Sequence, residues 1–216
     1  MTNTKIWADP IGVPQRLKQL ELTEGILLHA AERGDAAWAS CTKNHPALQR
    51  GIMGWGEPIC SLRESLIPEG WNRYDEGNQP YVVSSDDSLA ITVATGDENA
   101  GLKDRNPSTK SSKGPQTEIA VAKNALAKSL FGDIRSDRQK KIGTRQTWIL
   151  LIYRDEEKSE TRCEFSSPSN MEGGYIDEWL ERIILGVIPF GGGASIKITT
   201  EPPTTPDINI SVKRRA

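Results

Sequence analysis

The chain has 216 residues, of which 36% are hydrophobic, and a formal net charge of −2. This length allows one large domain with a buried core, and the composition is that of a globular rather than a disordered chain. No stretch approaches the roughly 18 consecutive apolar residues of a membrane-spanning helix, the N-terminal residues do not have the pattern of a secretory signal, and three cysteines do not make a disulfide framework. We therefore expect a cytoplasmic protein with reduced thiols and no membrane partner.

Two amphipathic helices are predicted within residues 1–70. The first is predicted to end near Gly34, and its apolar residues share one face: Leu22, Ile26, Leu27 and Ala30. The second is predicted over residues 58–66, because glycines and a proline interrupt the start of a longer apolar stripe: Ile52, Trp55, Ile59, Leu62 and Leu66. Trp71 follows a Pro-Glu-Gly turn and is predicted to be the most exposed tryptophan.

The middle of the chain changes from helix-like to strand-like periodicity and back. Residues 81–83 and 89–93 are β-rich and flank a Ser/Asp-rich turn, which predicts a hairpin. Residues 96–117 contain almost nothing to bury and predict a mobile, functional loop. A helix is predicted from about residue 116 to residue 131, followed by a basic connector over residues 134–146.

The last third of the chain mixes strands with one predicted helix. The run WILLIY at residues 148–153 predicts a central strand buried on both faces, and residues 161–166 alternate as a half-exposed strand does. Gly173-Gly174 is predicted to introduce a helix that contains Ile176, Leu180, Ile183 and Ile184, and two strands are predicted at 196–200 and 208–212. The order predicts a single α+β domain, with an antiparallel or mixed sheet of five to six strands and helices packed on one face.

Four residues of zinc-ligating types lie close together in the sequence: His29, Cys41, His45 and Cys60. Their order, H-x11-C-x3-H-x14-C, lacks the paired spacing of known zinc sites, so no metal or cofactor is predicted. A Cys41–His45 nucleophile–base pair is disfavoured because His45-Pro46 indicates a loop rather than a helix. A zinc-dependent or Cys/His enzyme is the last of three functional hypotheses.

Three acidic clusters fall in predicted turns, where solvated charge is the ordinary reason for such residues. They are Asp86-Asp87, Asp97-Glu98 and Glu156-Glu157-Lys158. Carboxylates that hold a hard cation for nuclease chemistry sit on elements that converge on one edge. The turn positions therefore argue against a metal-dependent nuclease.

The distribution of charge is the most informative feature of the chain. Residues 103–145 contain eleven Lys/Arg and four Asp/Glu, whereas residues 1–102 contain eight and fourteen, and residues 146–216 contain eight and eleven. Charge asymmetry of this kind bears on binding partners more than on the fold. The candidate binding residues are the cations that flank the predicted helix in this basic middle: Lys103, Arg105, Lys110, Lys113, Arg135, Arg138, Lys140, Lys141 and Arg145.

The basic segments predict a binding surface and leave two partner classes open. A helix of about sixteen residues is about 24 Å long, so both flanking segments can reach one surface. The first hypothesis is a non-enzymatic adaptor or inhibitor that presents these basic loops to an acidic protein partner in a larger assembly. The second is a nucleic-acid-binding subunit that contacts phosphates through the same residues. No aromatic residue lies between residues 96 and 130 to stack on bases, which favours the first hypothesis slightly.

Overall fold

The computed structural model describes residues 4–131 and 145–190, which form one open mixed sheet with helices on both faces. The α-helices are α1 (Gly12–Gln19), α2 (Glu24–Ser40), α3 (Gln49–Leu66) and α4 (Pro115–Phe131), and Ile67–Glu69 is a short 3-10 helix. The strands are β1 (Lys5–Trp7), β2 (Asn72–Glu76), β3 (Gln79–Val83), β4 (Leu89–Thr95), β5 (Gln146–Asp155), β6 (Glu160–Glu172), β7 (Tyr175–Ile184) and β8 (Ile188–Pro189).

The sheet has eight strands in the order β1-β7-β6-β5-β4-β3-β2, with β8 paired to β6. Two pairs are parallel, β1 with β7 and β4 with β5, and the other pairs are antiparallel. The predicted α+β class is confirmed, and so are the hairpin of β3 and β4, the central strand β5 and the helix α4. The sheet is larger than the five to six strands predicted.

One of the additional strands is β7, where a helix had been predicted. The prediction of a helix after Gly173-Gly174 is wrong, because this segment is an edge-proximal strand paired to both β6 and β1. Register shifts opposite Pro168 and Asn170 interrupt the two-residue alternation of side chains along β7. Both faces of the sheet are covered at β7, so apolar residues point to either side. Their spacing along the strand therefore resembles the apolar stripe of a helix.

The helices pack on both faces of the sheet, which corrects the one-sided arrangement predicted. On one face, α1, α2 and α3 cover a core that includes Ile91, Trp148 and Phe165. On the other face, α4 and the loop after β4 cover Ile149 and Leu151, which alternate with the first set along β5. The second layer follows from the parallel β4–α4–β5 connection, since the crossover has to pass over a face of the sheet.

Close helix packing explains two further differences from prediction. Gly34 lies inside α2 and does not end the helix. A glycine is required there for close packing on α3, because a Cβ would lie 2.6 Å from Pro58 Cγ and 2.9 Å from the Gly54 carbonyl oxygen. Gly54 and Pro58 of α3 therefore serve the contact with α2, and α3 begins at Gln49 rather than at Pro58. Trp71 is buried, at 5% exposure, so its predicted exposure is wrong.

The loop between β4 and α4 is fastened to β7 and to the end of β4. Trp179 Nε1 donates a hydrogen bond to the Pro107 carbonyl (2.9 Å), Asn106 Nδ2 donates to the Asp177 carbonyl (2.7 Å), and the Lys110 N–H donates to the carbonyl of Thr95 (2.9 Å). The mobility predicted for residues 96–117 stays a prediction. The loop covers the β6 row that includes Arg162 and Glu164, which corrects the half-exposed strand predicted there: these side chains are buried.

Two predicted strands, at 196–200 and 208–212, lie outside the described residues, as does most of the basic connector over 134–146. Among the described helices, none is both long enough and apolar enough to cross a bilayer.

Candidate binding cleft

A cavity of about 1280 Å³ opens where the parallel strands β4 and β5 end. Its base is formed by residues 93–95 of β4 and residues 152–155 of β5. Helices α2 and α3 form one wall, and the loop of residues 96–111 forms the opposite wall on the other face of the sheet. Ligand sites in open sheets commonly lie at the carboxyl ends of parallel strands, because the connecting segments diverge there and leave a crevice.

The helix wall presents two tryptophans and one carboxylate. Trp55 of α3 is fixed by its indole N–H, which donates to the carbonyl of Val93 at 3.1 Å. Asp35 and Trp38 of α2 both contact Arg154 of β5: the carboxylate forms an ion pair with its guanidinium, which lies 4.3 Å from the centre of the indole ring. The wall is therefore joined directly to the ends of both parallel strands.

Arg154 contacts two aromatic rings. Its guanidinium lies 3.5 Å from the ring centre of Phe190 and 4.3 Å from that of Trp38, and the guanidinium of Arg50 lies 4.7 Å from the Trp38 ring centre. Burial lowers the pKa of Arg154 below the ordinary arginine value. Arg154 Nε is buried without a hydrogen-bond partner among the described residues, so part of its donor capacity is not used within residues 4–131 and 145–190.

The base of the cleft contains a second set of paired charges. Arg162 of β6 donates to the Glu98 carbonyl (2.8 Å), lies 3.4 Å from an Asp155 carboxylate oxygen and places its guanidinium 5.0 Å from the Tyr153 ring centre. Asp155 also accepts from the Lys158 backbone N–H at 3.1 Å. These contacts satisfy charges that would be costly to bury alone.

The loop wall carries cations that have no such partners. Arg105 and Lys110 line the cleft with exposed side chains, and neither forms an ion pair within the described part of the chain. Three exposed carboxylates in the same lining are likewise without an ion pair among residues 4–131 and 145–190: Glu98, Glu156 and Glu157. After the internal pairs are formed, the cleft therefore offers charges of both signs to a ligand.

The structure distributes the nine predicted binding residues over several places. Arg105 and Lys110 lie in the cleft, Lys103 is exposed on the same loop outside the lining, and Lys113 is half-buried just before α4, where burial lowers its pKa. Arg145 immediately precedes β5, pairs with Asp87 and lies 4.9 Å from the Tyr74 ring centre. The remaining four lie outside the described residues: Arg135, Arg138, Lys140 and Lys141.

Arg145 and the cleft are at opposite ends of β5. This strand has ten residues and is therefore about 30 Å long. The described cations thus do not form one continuous surface, and the pair that the structure brings to a concave site is Arg105 with Lys110.

The four residues of zinc-ligating types are not gathered at one place. No group of three or more His, Cys, Asp or Glu side chains among residues 4–131 and 145–190 is arranged to hold a metal ion. Cys60 Sγ donates to Glu64 (3.3 Å), His45 Nδ1 accepts from the Thr42 N–H (2.9 Å), and His29 lies 3.9 Å from Glu32. Their polar atoms thus have local partners.

Four residues of the cleft escaped prediction from sequence: Asp35, Trp38, Trp55 and Arg154. Of the three acidic clusters, Asp97-Glu98 and Glu156-Glu157-Lys158 contribute side chains to the lining from separate turns. The third, Asp86-Asp87, lies at the other end of the sheet beside Arg145. A signal for the site was present in the charged segment that directly follows the apolar run of β5, since polar residues at the carboxyl end of a buried strand mark the usual position of a crevice.

The chain was compared with protein-family models, with curated proteins and with solved structures. None of the three comparisons finds a match. The geometry and charge of the cleft are therefore the features that bear on function.

Proposed function

We propose that the protein is a non-enzymatic binding protein, an adaptor or inhibitor, that takes an extended segment of a protein partner into the cleft. The observation that carries this proposal is a cavity of about 1280 Å³ whose lining leaves both cations and carboxylates unpaired within the described residues. Small-molecule sites usually have volumes of about 300–1,000 Å³, so the size favours a segment of a macromolecule.

Charge favours a polypeptide over a nucleic acid. A phosphate backbone is uniformly negative, so the attraction of Arg105 and Lys110 would be opposed by the carboxylates Glu98, Glu156 and Glu157. A polypeptide can place acidic side chains against the loop wall and basic side chains or backbone N–H groups against the carboxylates. We keep the prediction of an acidic protein partner for the basic loop. The segment of that partner that enters the cleft carries charges of both signs.

The two tryptophans of the helix wall provide apolar contact area. Trp38 and Trp55 are both half-buried in the cleft lining, and their indoles are fixed by neighbours, Arg154 and the Val93 carbonyl respectively. Rings held in place in this way bind an apolar side chain at low cost in conformational entropy. We expect the bound segment to present an apolar anchor to these rings.

Two of the three thiols, those of Cys60 and Cys163, are unsuited to a nucleophilic role. The hydrogen bond to Glu64 and burial raise the pKa of Cys60, and burial raises the pKa of Cys163 well above the ordinary thiol value. A nucleophilic cysteine requires the opposite shift, toward the thiolate. Asp35 and Asp155 are paired with Arg154 and Arg162 at the base of the cleft. Carboxylates paired in this way hold the shape of a site and are less suited to proton transfer.

The proposal is tested by selecting ligands for the whole chain. Random peptides of about twelve residues, which span at most about 40 Å when extended, are displayed and selected on the wild-type protein, with counter-selection on the Arg105→Glu/Lys110→Glu variant. We expect selected peptides to contain an acidic residue near an aromatic or large aliphatic one. Their affinity, measured by fluorescence anisotropy, should fall about tenfold or more in the double variant.

Oligothymidylate of similar length serves as the competing ligand in the same assay. The proposal is contradicted if no peptide sensitive to the double variant is recovered. It is equally contradicted if oligothymidylate binds more tightly than the peptides and loses its affinity in that variant, since the cleft would then be a phosphate site.

A further inference from the structure

A buried ion pair lies beneath the loop wall of the cleft. Glu164 of β6 and Arg182 of β7 project from the same face of the sheet, with side-chain exposures of 0% and 2%. Arg182 Nε donates to Glu164 Oε1 (2.9 Å) and Nη2 donates to Oε2 (2.5 Å), so the contact is bidentate. This geometry is specific to the planar guanidinium fork and is not reproduced by an ammonium group.

Both members of the pair also bind the backbone of the loop. Arg182 Nη1 donates to the Arg105 carbonyl (2.5 Å), Nη2 donates to the Leu102 carbonyl (3.0 Å), and Glu164 Oε2 accepts from the Gly101 N–H (2.9 Å). Gly101 has φ +76°, a conformation that favours glycine, and a Cβ at that position would lie 2.8 Å from the Cβ of Arg162. The pair therefore determines the course of residues 101–105 over the sheet.

We infer that Glu164 and Arg182 are positioning residues that hold the cationic wall of the cleft in its binding geometry. They hold the backbone of Arg105 and leave its exposed side chain available to a ligand. The role of this wall in binding rests on the proposed function. The anchoring of the loop by the pair does not, and it is tested separately.

A second buried pair on the neighbouring residue of β7 provides a matched control. Glu181 points to the opposite face, where Arg16 of α1 binds it through Nε and, at 3.0 Å, through Nη2. The side chains of that pair are 5% and 8% exposed, and the pair is held by Trp7 Nε1, which donates to Glu181 (2.7 Å), and by Gln19, which accepts from Arg16 (2.8 Å). Arg182→Lys and Arg16→Lys each remove a bidentate contact with a buried glutamate. Only the Arg182 contact supports the loop wall of the cleft.

The first measurement is amide hydrogen exchange in the full chain without any ligand. We expect Arg182→Lys to speed exchange at Gly101, Leu102 and Arg105 by about tenfold or more relative to wild type, through local opening of the loop. Arg16→Lys should leave these amides unchanged. Equal protection of the loop in the two variants would overturn the inference, whatever the outcome of the binding experiments.

The second measurement is the affinity for a selected peptide and for its analogue with Asp and Glu replaced by Asn and Gln. We expect Arg182→Lys to reduce the preference for the acidic peptide about fivefold or more, while Arg16→Lys retains that preference. An unchanged preference in Arg182→Lys would overturn the positioning role. If wild type binds no peptide, the proposed function fails and the exchange result still decides whether the pair anchors the loop.

A third variant covers the case in which Arg182→Lys does not fold. Glu164→Gln has nearly the same shape and retains an oxygen acceptor for the Gly101 N–H, but removes the negative charge that orients Arg182. The same local increase in exchange is expected at Leu102 and Arg105, whose contact with the guanidinium depends on its orientation. Wild-type exchange at both amides in a folded Glu164→Gln variant would contradict the inference.

Discussion

Asp35 and Arg154 form an ion pair that joins helix α2 to the carboxyl end of strand β5. Their side chains are only 13% and 20% exposed, and Asp35 also accepts a hydrogen bond from Thr161 on β6 at 3.0 Å. Because Arg154 also stacks on Trp38, one contact secures both the carboxylate and the indole of the helix wall. The cleft thus obtains its shape from packing between layers of the fold.

Removing one charge of this pair should destabilise the protein. Asp35→Asn removes the carboxylate that pairs with Arg154 and leaves the guanidinium largely buried. We expect this change to lower the free energy of unfolding by about 2 kcal/mol, which is less than the loss expected when a fully buried ion pair is broken. Urea unfolding measures this change. The double variant Asp35→Asn/Arg154→Gln removes both charges and should recover part of the loss; a double variant less stable than Asp35→Asn would contradict the account.

Charge reversal on the loop wall should reduce binding without affecting the fold. Arg105 and Lys110 are exposed, so Arg105→Glu and Lys110→Glu are each expected to leave the free energy of unfolding within about 0.5 kcal/mol of wild type. Each should weaken a selected acidic peptide about tenfold, because attraction becomes repulsion. Lys103→Glu changes the same charge on the same loop outside the cleft, and a loss of affinity equal to that of Lys110→Glu would show that only net charge matters.

Packing between α2 and α3 should be sensitive to a single methyl group. Gly34→Ala places a Cβ 2.6 Å from Pro58 Cγ and 2.9 Å from the Gly54 carbonyl oxygen, so the helices have to separate, and we expect a loss of about 1–3 kcal/mol in the free energy of unfolding. Gly56→Ala on α3 meets nothing within 4 Å and should stabilise the protein by up to about 1 kcal/mol. Thermal or urea unfolding of the two variants should therefore show changes of opposite sign.

Tyr81 should make the protein sensitive to alkali. Burial raises the pKa of this phenol on β3 to about 12, from an ordinary value of about 10. The unfolded chain therefore loses this proton first as the pH rises. The contribution of Tyr81 to the free energy of unfolding is complete below about pH 10. It declines by at most about 1.4 kcal/mol per pH unit until the pH passes the pKa that Tyr81 has in the folded protein.

The comparison that tests this expectation is with Tyr81→Phe. Urea unfolding at about pH 9 and about pH 11.5 should show a smaller loss of stability in the variant than in wild type, because the variant has no phenol to ionise there. Parallel losses in the two proteins would mean that Tyr81 does not titrate differently in the folded and unfolded states.

Local patterns predicted the elements whose periodicity was unambiguous. The run of β5, the β3–β4 hairpin and α4 were found in this way, whereas β7 was missed because register shifts opposite Pro168 and Asn170 disturb its alternation. Burial of Arg162 and Glu164 is imposed by the loop that covers them, so it is a property of the tertiary structure. A two-residue alternation alone does not reveal it.

The site was predicted in part, for a related reason. Arg105 and Lys110 were identified from local charge, which is visible in the sequence. Asp35, Trp38 and Arg154 meet only because α2 packs across the end of β5, and nothing in their spacing along the chain indicates that contact. Charge composition thus located one wall of the cleft, and the opposite wall required the fold.

The most direct test of the cleft as the binding site uses the indole N–H signals of the six tryptophans in a nitrogen-15 NMR titration with a selected peptide. Single Trp→Phe variants assign these signals. We predict that the indole signals of Trp38 and Trp55, which line the cleft, shift on binding, while the signal of the core residue Trp148, at 0% exposure, does not. Shifts confined to tryptophans other than Trp38 and Trp55, or saturable binding with no shift of either, would contradict the account.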